Sequence, residues 1–160
     1  MNDGRPMRSP GVRFPPPILF VGGLALGWVL GWLGPVLPLA INNVAALRVV
    51  GWVLVVAGVA LSIWGAATFR AANTAIVPMR GASSIVTSGP YRFTRNPMYV
   101  GMTLVYGGIA FLLNSLWPLL FLPVVLFLLV QFVIRREEAY LSQAFPEEYG
   151  MYRMQVRRWL

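Results

Sequence analysis

The chain contains no cysteine, no histidine and no lysine, and only five acidic residues: Asp3, Glu137, Glu138, Glu147 and Glu148. Without cysteine there is no disulfide framework and no thiol nucleophile. Without histidine the commonest imidazole ligand and the usual physiological-pH base are both missing. Zinc chemistry, histidine-ligated haem and Ser-His-Asp hydrolysis are therefore excluded. Acid or base work falls on the carboxylates or on tyrosine, and every glutamate lies after residue 134.

Charge of either sign is scarce. Only 11% of the 160 residues are charged and 58% are apolar, whereas a soluble domain carries about 25% charged residues. Three uncharged runs, 14–47, 49–69 and 96–134, hold 94 residues. A bilayer span needs about 20 mostly apolar residues, so the first two runs fit one span each and the third fits two short ones. The expected fold is an all-α integral membrane protein: one domain, residues 1–160, built as a bundle of four transmembrane helices over about 18–39, 49–69, 98–113 and 117–134. Pro35 and Pro38 bend or end the first span, which is too long and too poorly terminated for a cleaved leader. Asn114 and Ser115 turn the hairpin of the last two spans, and Pro118 suits the first turn of the last helix.

All 13 basic residues are arginine, and four spans sort them by side. Arg48 stands alone on one side; the other twelve share the face that holds both termini and the 70–95 loop. Positive residues mark the cytoplasmic face, so both termini and any active site are expected there. The net charge of +8 then reads as orientation plus attraction to an anionic lipid surface, worth ~1 kcal/mol per basic residue. The arginines flank spans and form no single patch, so nucleic acid is not an expected partner. Gly23, Gly27 and Gly31, and Gly51, Gly58 and Gly65, each recur on one helical face. Small residues there let backbones approach closely in lipid, within the bundle in preference to between copies; oligomeric state stays open.

Chemistry is expected in two segments. The loop at about 70–97 carries Ile76, Val77, Ile85, Val86, Tyr91 and Phe93 between turn signals at Pro78, Gly81 and Gly89-Pro90, and should fold back onto the bundle. It leads into Asn96-Pro97, an N-cap followed by a first-turn proline. The second segment, Arg135-Arg136-Glu137-Glu138, marks the end of the last span. Both lie at the same end of a helical hairpin, so they are close in space. Beyond Pro146, Tyr149, Tyr152, Val156 and Trp159 repeat at helical spacing with arginines on other faces, the pattern of an amphipathic helix on a membrane surface.

The blocks Gly89-Pro90-Tyr91-Arg92-Phe93-Thr94-Arg95-Asn96-Pro97-Met98-Tyr99-Val100-Gly101, Glu137-Glu138-x-x-Leu141, Phe145-x-Glu147-Glu148-Tyr149-x-x-Tyr152 and Val156-Arg157-Arg158-Trp159-Leu160 resemble, in order and spacing, the isoprenylcysteine carboxyl methyltransferase and phospholipid methyltransferase superfamily. The resemblance covers about residues 68–160. It implies a transferase that moves a methyl group from S-adenosyl-L-methionine to a lipophilic acceptor, such as a prenylcysteine carboxylate or a phospholipid amine. It also implies cofactor contacts at Ser84, Ile85, Val86, Tyr91, Asn96, Pro97, Met98, Tyr99, Glu137 and Glu138. Glu137 would hold the cofactor's polar end, with Tyr91 and Tyr99 as walls. Arg135 and Arg136 would hold an anionic acceptor, and Glu138, a tyrosine or water would serve as base for an amine.

Three positions depart from the pattern. Prenylcysteine enzymes have His where Asn96 stands, and Arg where Val133 stands; many relatives have Gly at Asn73. Asparagine cannot ionise, so an imidazole role at position 96 is excluded. Three other readings remain: a small four-span transporter, which requires an ionisable group within the bilayer where spans 1 to 4 carry no charge; a non-catalytic membrane adaptor; and a NADPH-dependent sterol reductase, which shares the C-terminal resemblance but is a longer chain.

The orientation is testable because the chain lacks cysteine. In intact cells a membrane-impermeant maleimide should label Ala45→Cys, and should label Gln155→Cys only after permeabilisation; the reverse pattern would invert the topology.

Overall fold

The computed structural model describes residues 11–12, 15–39, 43–72 and 84–160. Arg5, Arg8, Arg13, Arg80, Asn73, Ile76, Val77, Pro78 and Gly81 lie outside the described residues. Those described form helices and no strand. Helix α1 spans Pro16–Leu33 and α2 spans Val44–Ala71. A 3-10 turn at Gly89–Arg92 precedes α3, Pro97–Leu112. The helix over Leu116–Ala144 is continuous: α4 at Leu116–Leu129, a π-helical turn at Val130–Ile134, then α5 at Arg135–Ala144. Helix α6 is Pro146–Gln155.

Three of these helices, Pro16–Leu33, Val44–Ala71 and Leu116–Ala144, are long and apolar enough to cross a membrane. Helix α3 is equally apolar but has 16 residues, about 24 Å of rise. Their outer faces are what a lipid solvent permits: Trp28, Trp32, Trp52, Val56, Ile63, Val124 and Phe127 are all exposed.

Two boundaries differ from the sequence expectation for clear reasons. The first helix stops at Leu33 instead of running to 39, because Pro35 biases Gly34 away from the helical region. The segment after it is pinned to the far hairpin. Leu116 N donates to Leu37 O at 2.8 Å and Trp117 Nε1 to Pro35 O at 3.0 Å, while Leu39 N donates to Asn114 Oδ1 at 3.2 Å. The second helix begins at Val44, ahead of the expected 49, because Asn43 caps it: its Oδ1 accepts from Ala46 N at 3.0 Å. An Asn114 φ of +46° closes the α3–α4 turn, a conformation asparagine adopts more readily than most residues.

Helix α2 packs along α3, and α1 along α4. Lipid supplies no hydrophobic drive for such contacts, so close van der Waals packing must do it. The glycines make that approach possible. A Cβ on Gly58 would stand 2.5 Å from Gly101 O, and one on Gly27 would stand 2.7 Å from Pro118 Cα. Both glycine faces are thus used inside the chain. The buried Tyr106 hydroxyl donates to Pro118 O at 2.7 Å, so this polar atom in an apolar layer is satisfied.

These contacts predict a sharp contrast between a glycine inside the α2–α3 interface and one outside it. Gly58→Leu should lower stability by roughly 1–3 kcal/mol through overpacking. Gly107→Ala, where a new Cβ meets nothing within 4 Å, should leave it unchanged. Denaturant unfolding in detergent, followed by circular dichroism, separates the two.

Candidate active site

Nearly all side-chain polarity gathers at the end of the bundle where α3 begins and the long helix leaves its apolar run. Local sequence explains each approach to that end. Gly89 takes a φ of +59°, and a Cβ there would stand 2.7 Å from Thr68 Oγ1 on α2. Glycine therefore lets the 3-10 turn sit against α2 and delivers Tyr91 inward. Pro97 starts α3 immediately afterwards, so Tyr99 lies in its first turn. On the long helix, the π turn adds about one residue and rotates α5 by ~100° relative to α4, directing Glu137 and Glu138.

The inner cluster is formed by Gly65, Tyr91, Met98, Tyr99 and Glu137. The buried Tyr99 hydroxyl donates to Glu137 Oε1 at 2.7 Å. Gly65 leaves room for its neighbours: a Cβ there would stand 2.8 Å from Met98 Cγ and 3.5 Å from the Tyr91 hydroxyl. Phe69 packs edge-on against Tyr91, with centroids 5.0 Å apart. Tyr91 is 5% exposed, yet its hydroxyl has no hydrogen-bond partner among the described residues. Burial pushes that hydroxyl's pKa up, as do the neighbouring Tyr152 and Glu137, so it stays protonated and able to donate. A buried polar atom without a partner is costly unless something supplies one.

The outer cluster is a clamp around Glu138. Arg158 grips both its oxygens, Nε to Oε1 at 3.0 Å and NH2 to Oε2 at 2.6 Å. Arg95 NH1 adds a bond to Oε1 at 3.0 Å and one to the Tyr149 hydroxyl at 3.3 Å. Hydrogen bonding to Glu138 raises the Arg158 pKa; burial, followed by the charge of Glu138, raises that of Tyr149. Arg95 Nε is buried without a partner among the described residues.

The C-terminal segment closes over this clamp. Helix α6 has Glu147 and Glu148 in its first turn and Arg153 in its last, the order the helix dipole favours. Its Tyr149 and Tyr152 are buried against Val86 and Tyr91, with Ile85, Phe69, Leu141 and Phe145 around them, and Tyr152 donates to Tyr91 O at 2.8 Å. The expected amphipathic helix therefore turns its tyrosines onto the loop, and it ends at Gln155. Val156 is extended, and the last residues return to α3. There Arg95 N donates to Arg157 O at 2.9 Å, and Thr94 Oγ1 and Asn96 Nδ2 donate to Arg158 O at 3.1 and 2.9 Å.

The structure brings together most residues singled out by sequence. Tyr91, Met98, Tyr99 and Glu137 meet in the inner cluster. Ile85 and Val86 pack on the α6 tyrosines, and Ser84 is half-buried beside them. Pro97 is buried at the start of α3. Asn96 stands at the N-cap position but makes no side-chain cap; its amide is spent on the tail. Arg135 is exposed and Arg136 is turned to Gly11 O at 2.8 Å, so neither joins the carboxylate pair. Glu138, one of three candidates for the base, has both oxygens engaged. Arg95 and Arg158, which clamp Glu138, are the cations that sequence reasoning left out, although both fall inside its motif blocks.

Three helices long and apolar enough to cross a membrane, with a polar cluster at one end of the bundle among the described residues, fit a membrane protein. The chain belongs to the phospholipid methyltransferase family, whose model matches residues 46–148, a stretch that includes Tyr91, Tyr99, Glu137 and Glu138. Over 68 residues it is 43% identical to an uncharacterized protein of Haemophilus influenzae, covering 39% of this chain and 100% of that one. Over 68 residues it is 38% identical to the cobalt-zinc-cadmium resistance protein CzcN of Cupriavidus metallidurans, covering 42% of this chain and 32% of that protein. No solved structure matches.

The clamp predicts that Glu138→Gln, which strands two guanidinium groups, lowers stability by about 3 kcal/mol. The exposed Arg92→Met should change it by less than about 0.5 kcal/mol. Unfolding curves in one detergent compare them directly.

Proposed function

We propose that the chain transfers a methyl group from S-adenosyl-L-methionine to a lipophilic acceptor that reaches the site from the bilayer. In this reading α1, α2, α3 and the long helix all span the membrane, and the site and both termini face the cytoplasm. Helix α3 makes up its short length by continuing into the polar belt. The observation that carries the proposal is the buried Tyr91 hydroxyl, which lacks a partner beside the Tyr99–Glu137 bond, within a family of methyltransferases.

The side chains suit such a cofactor. It has an ammonium, a carboxylate, ribose hydroxyls and a flat base. Glu137 offers an anion to the ammonium, the Tyr91 hydroxyl and Arg95 Nε are donors awaiting acceptors, and Phe69, Ile85 and Val86 give apolar walls. Ser84, Asn96, Pro97, Met98 and Tyr99 complete the cradle. When bound, the cofactor supplies an electrophilic methyl on a positively charged sulfur. The protein's task is then to align the partners and exclude water, which is worth ~7–11 kcal/mol of barrier. Tyr99 fixes the Glu137 carboxylate, and Tyr91 remains neutral next to it.

The acceptor's charge decides which residues assist. A carboxylate acceptor needs a cation and no base; Arg135, exposed at the end of the last span, is placed for that, with Arg136 next to it. An amine acceptor must lose a proton first. Glu138 is held by two arginines and the site tyrosines stay protonated, so water takes that role. CzcN is by its name a metal-resistance protein, yet no group of three or more metal-ligating side chains occurs among the described residues. That relative therefore adds no metal chemistry to this reading.

Calorimetry with adenosylhomocysteine in lipid nanodiscs tests the site. Wild type should bind, Glu137→Ala should not, and Tyr99→Phe should weaken binding about tenfold, the value of one charge-assisted hydrogen bond. Unchanged binding in Glu137→Ala contradicts the site assignment.

A further inference from the structure

The Tyr99–Glu137 bond joins two helices across 38 residues of sequence, and one residue far from both grips the neighbour of each. On the α5 side, the Arg158 guanidinium holds both oxygens of Glu138, at 3.0 and 2.6 Å, immediately beside Glu137. On the α3 side, the Arg158 carbonyl accepts from Asn96 Nδ2 at 2.9 Å and from Thr94 Oγ1 at 3.1 Å. Asn96 is tied in turn to the first turn of α3, since its carbonyl accepts from Tyr99 N at 3.0 Å. Trp159, next along, packs on the cluster that contains Tyr99, Val133 and Ile134.

We infer that Arg158 is a positioning residue: its side chain sets α5, its main chain sets the start of α3, and together they hold the Tyr99 hydroxyl on Glu137. This rests on reading the Tyr99–Glu137 pair as part of the cofactor site. Arginine suits the task because its planar fork makes two parallel bonds to one carboxylate, which lysine cannot reproduce. The arrangement also separates positioning from folding. Arg95 holds Glu138 independently, so removing the Arg158 side chain leaves that carboxylate paired and the bundle standing.

The test uses the full chain in nanodiscs, with Arg158→Met, Arg158→Lys and, as control, Arg157→Met, whose side chain is exposed. Amide hydrogen exchange and adenosylhomocysteine affinity are read on each. With its side-chain anchor on Glu138 gone, the Arg158 carbonyl is no longer held over Asn96 and Thr94, so Arg158→Met should speed exchange in both 94–100 and 135–140 while leaving 105–112 unchanged. It should weaken binding about tenfold, the value of one hydrogen bond to a charged group lost when Tyr99 and Glu137 are no longer held together. Arg158→Lys should fall between it and wild type, and Arg157→Met should match wild type. Faster exchange confined to 156–160, wild-type affinity in Arg158→Met, or an equal loss in Arg157→Met overturns the inference. A wild type that binds no adenosylhomocysteine refutes the cofactor reading instead, and the exchange data alone then decide whether Arg158 is the strut.

Discussion

Hydrocarbon offers no hydrogen bonds, and that constraint arranges the rest of this molecule. Backbone polarity is consumed within helices, and charge is tolerated only where water or a partner is within reach. The described side chains obey it closely. Along α1, α2 and α3 the contacts are glycine against backbone, as at Gly58 and Gly101, and the Tyr106 hydroxyl is satisfied by Pro118 O. Ion pairing collects at one end, where Glu138 is held by Arg95 and Arg158. Chemistry in such a chain has one natural address, the boundary where the last apolar run meets that belt.

The belt is built from segments distant in sequence, and each has a local device that directs it. Gly89 admits the 3-10 turn against α2, Pro97 starts α3 two residues ahead of Tyr99, and the π turn at Val130–Ile134 rotates α5. Pro146 then ends α5 and begins α6, because the residue before a proline leaves the helical region. The corner brings Tyr149 and Tyr152 back onto Tyr91. Packing, charge and backbone thus converge on a small volume that combines a carboxylate, aromatic walls and unpartnered donors. That combination is unusual in a chain so poor in charge.

Much of this was legible in the sequence because it is local. Apolar runs, prolines and a capping asparagine locate helices to within a few residues, as α3 at 97–112 against an expected 98–113 shows. The glycine faces foretold close packing, and the motif blocks around Tyr99 and Glu137 foretold a meeting of α3 and α5. What escaped was long-range or depended on exact helical phase. The Asn96–Arg158 bond spans 62 residues, and no periodicity announces it. The π turn carries no residue signature in Val130–Ile134. Its rotation is why adjacent Arg135, Arg136, Glu137 and Glu138, equivalent by proximity in sequence, separate into an exposed cation, a backbone-bound cation, an inner carboxylate and a clamped one.

In the proposed function, the polar cluster around Tyr99 and Glu137 serves methyl transfer to a bilayer-borne acceptor. Membranes containing the protein, incubated with methyl-labelled S-adenosyl-L-methionine and then extracted, test it most directly. Label in a lipid or lipidated product with wild type, and none above background with Glu137→Ala, is the result this account predicts. Equal labelling with Glu137→Ala, or no labelled product from membranes that bind adenosylhomocysteine normally, would contradict it.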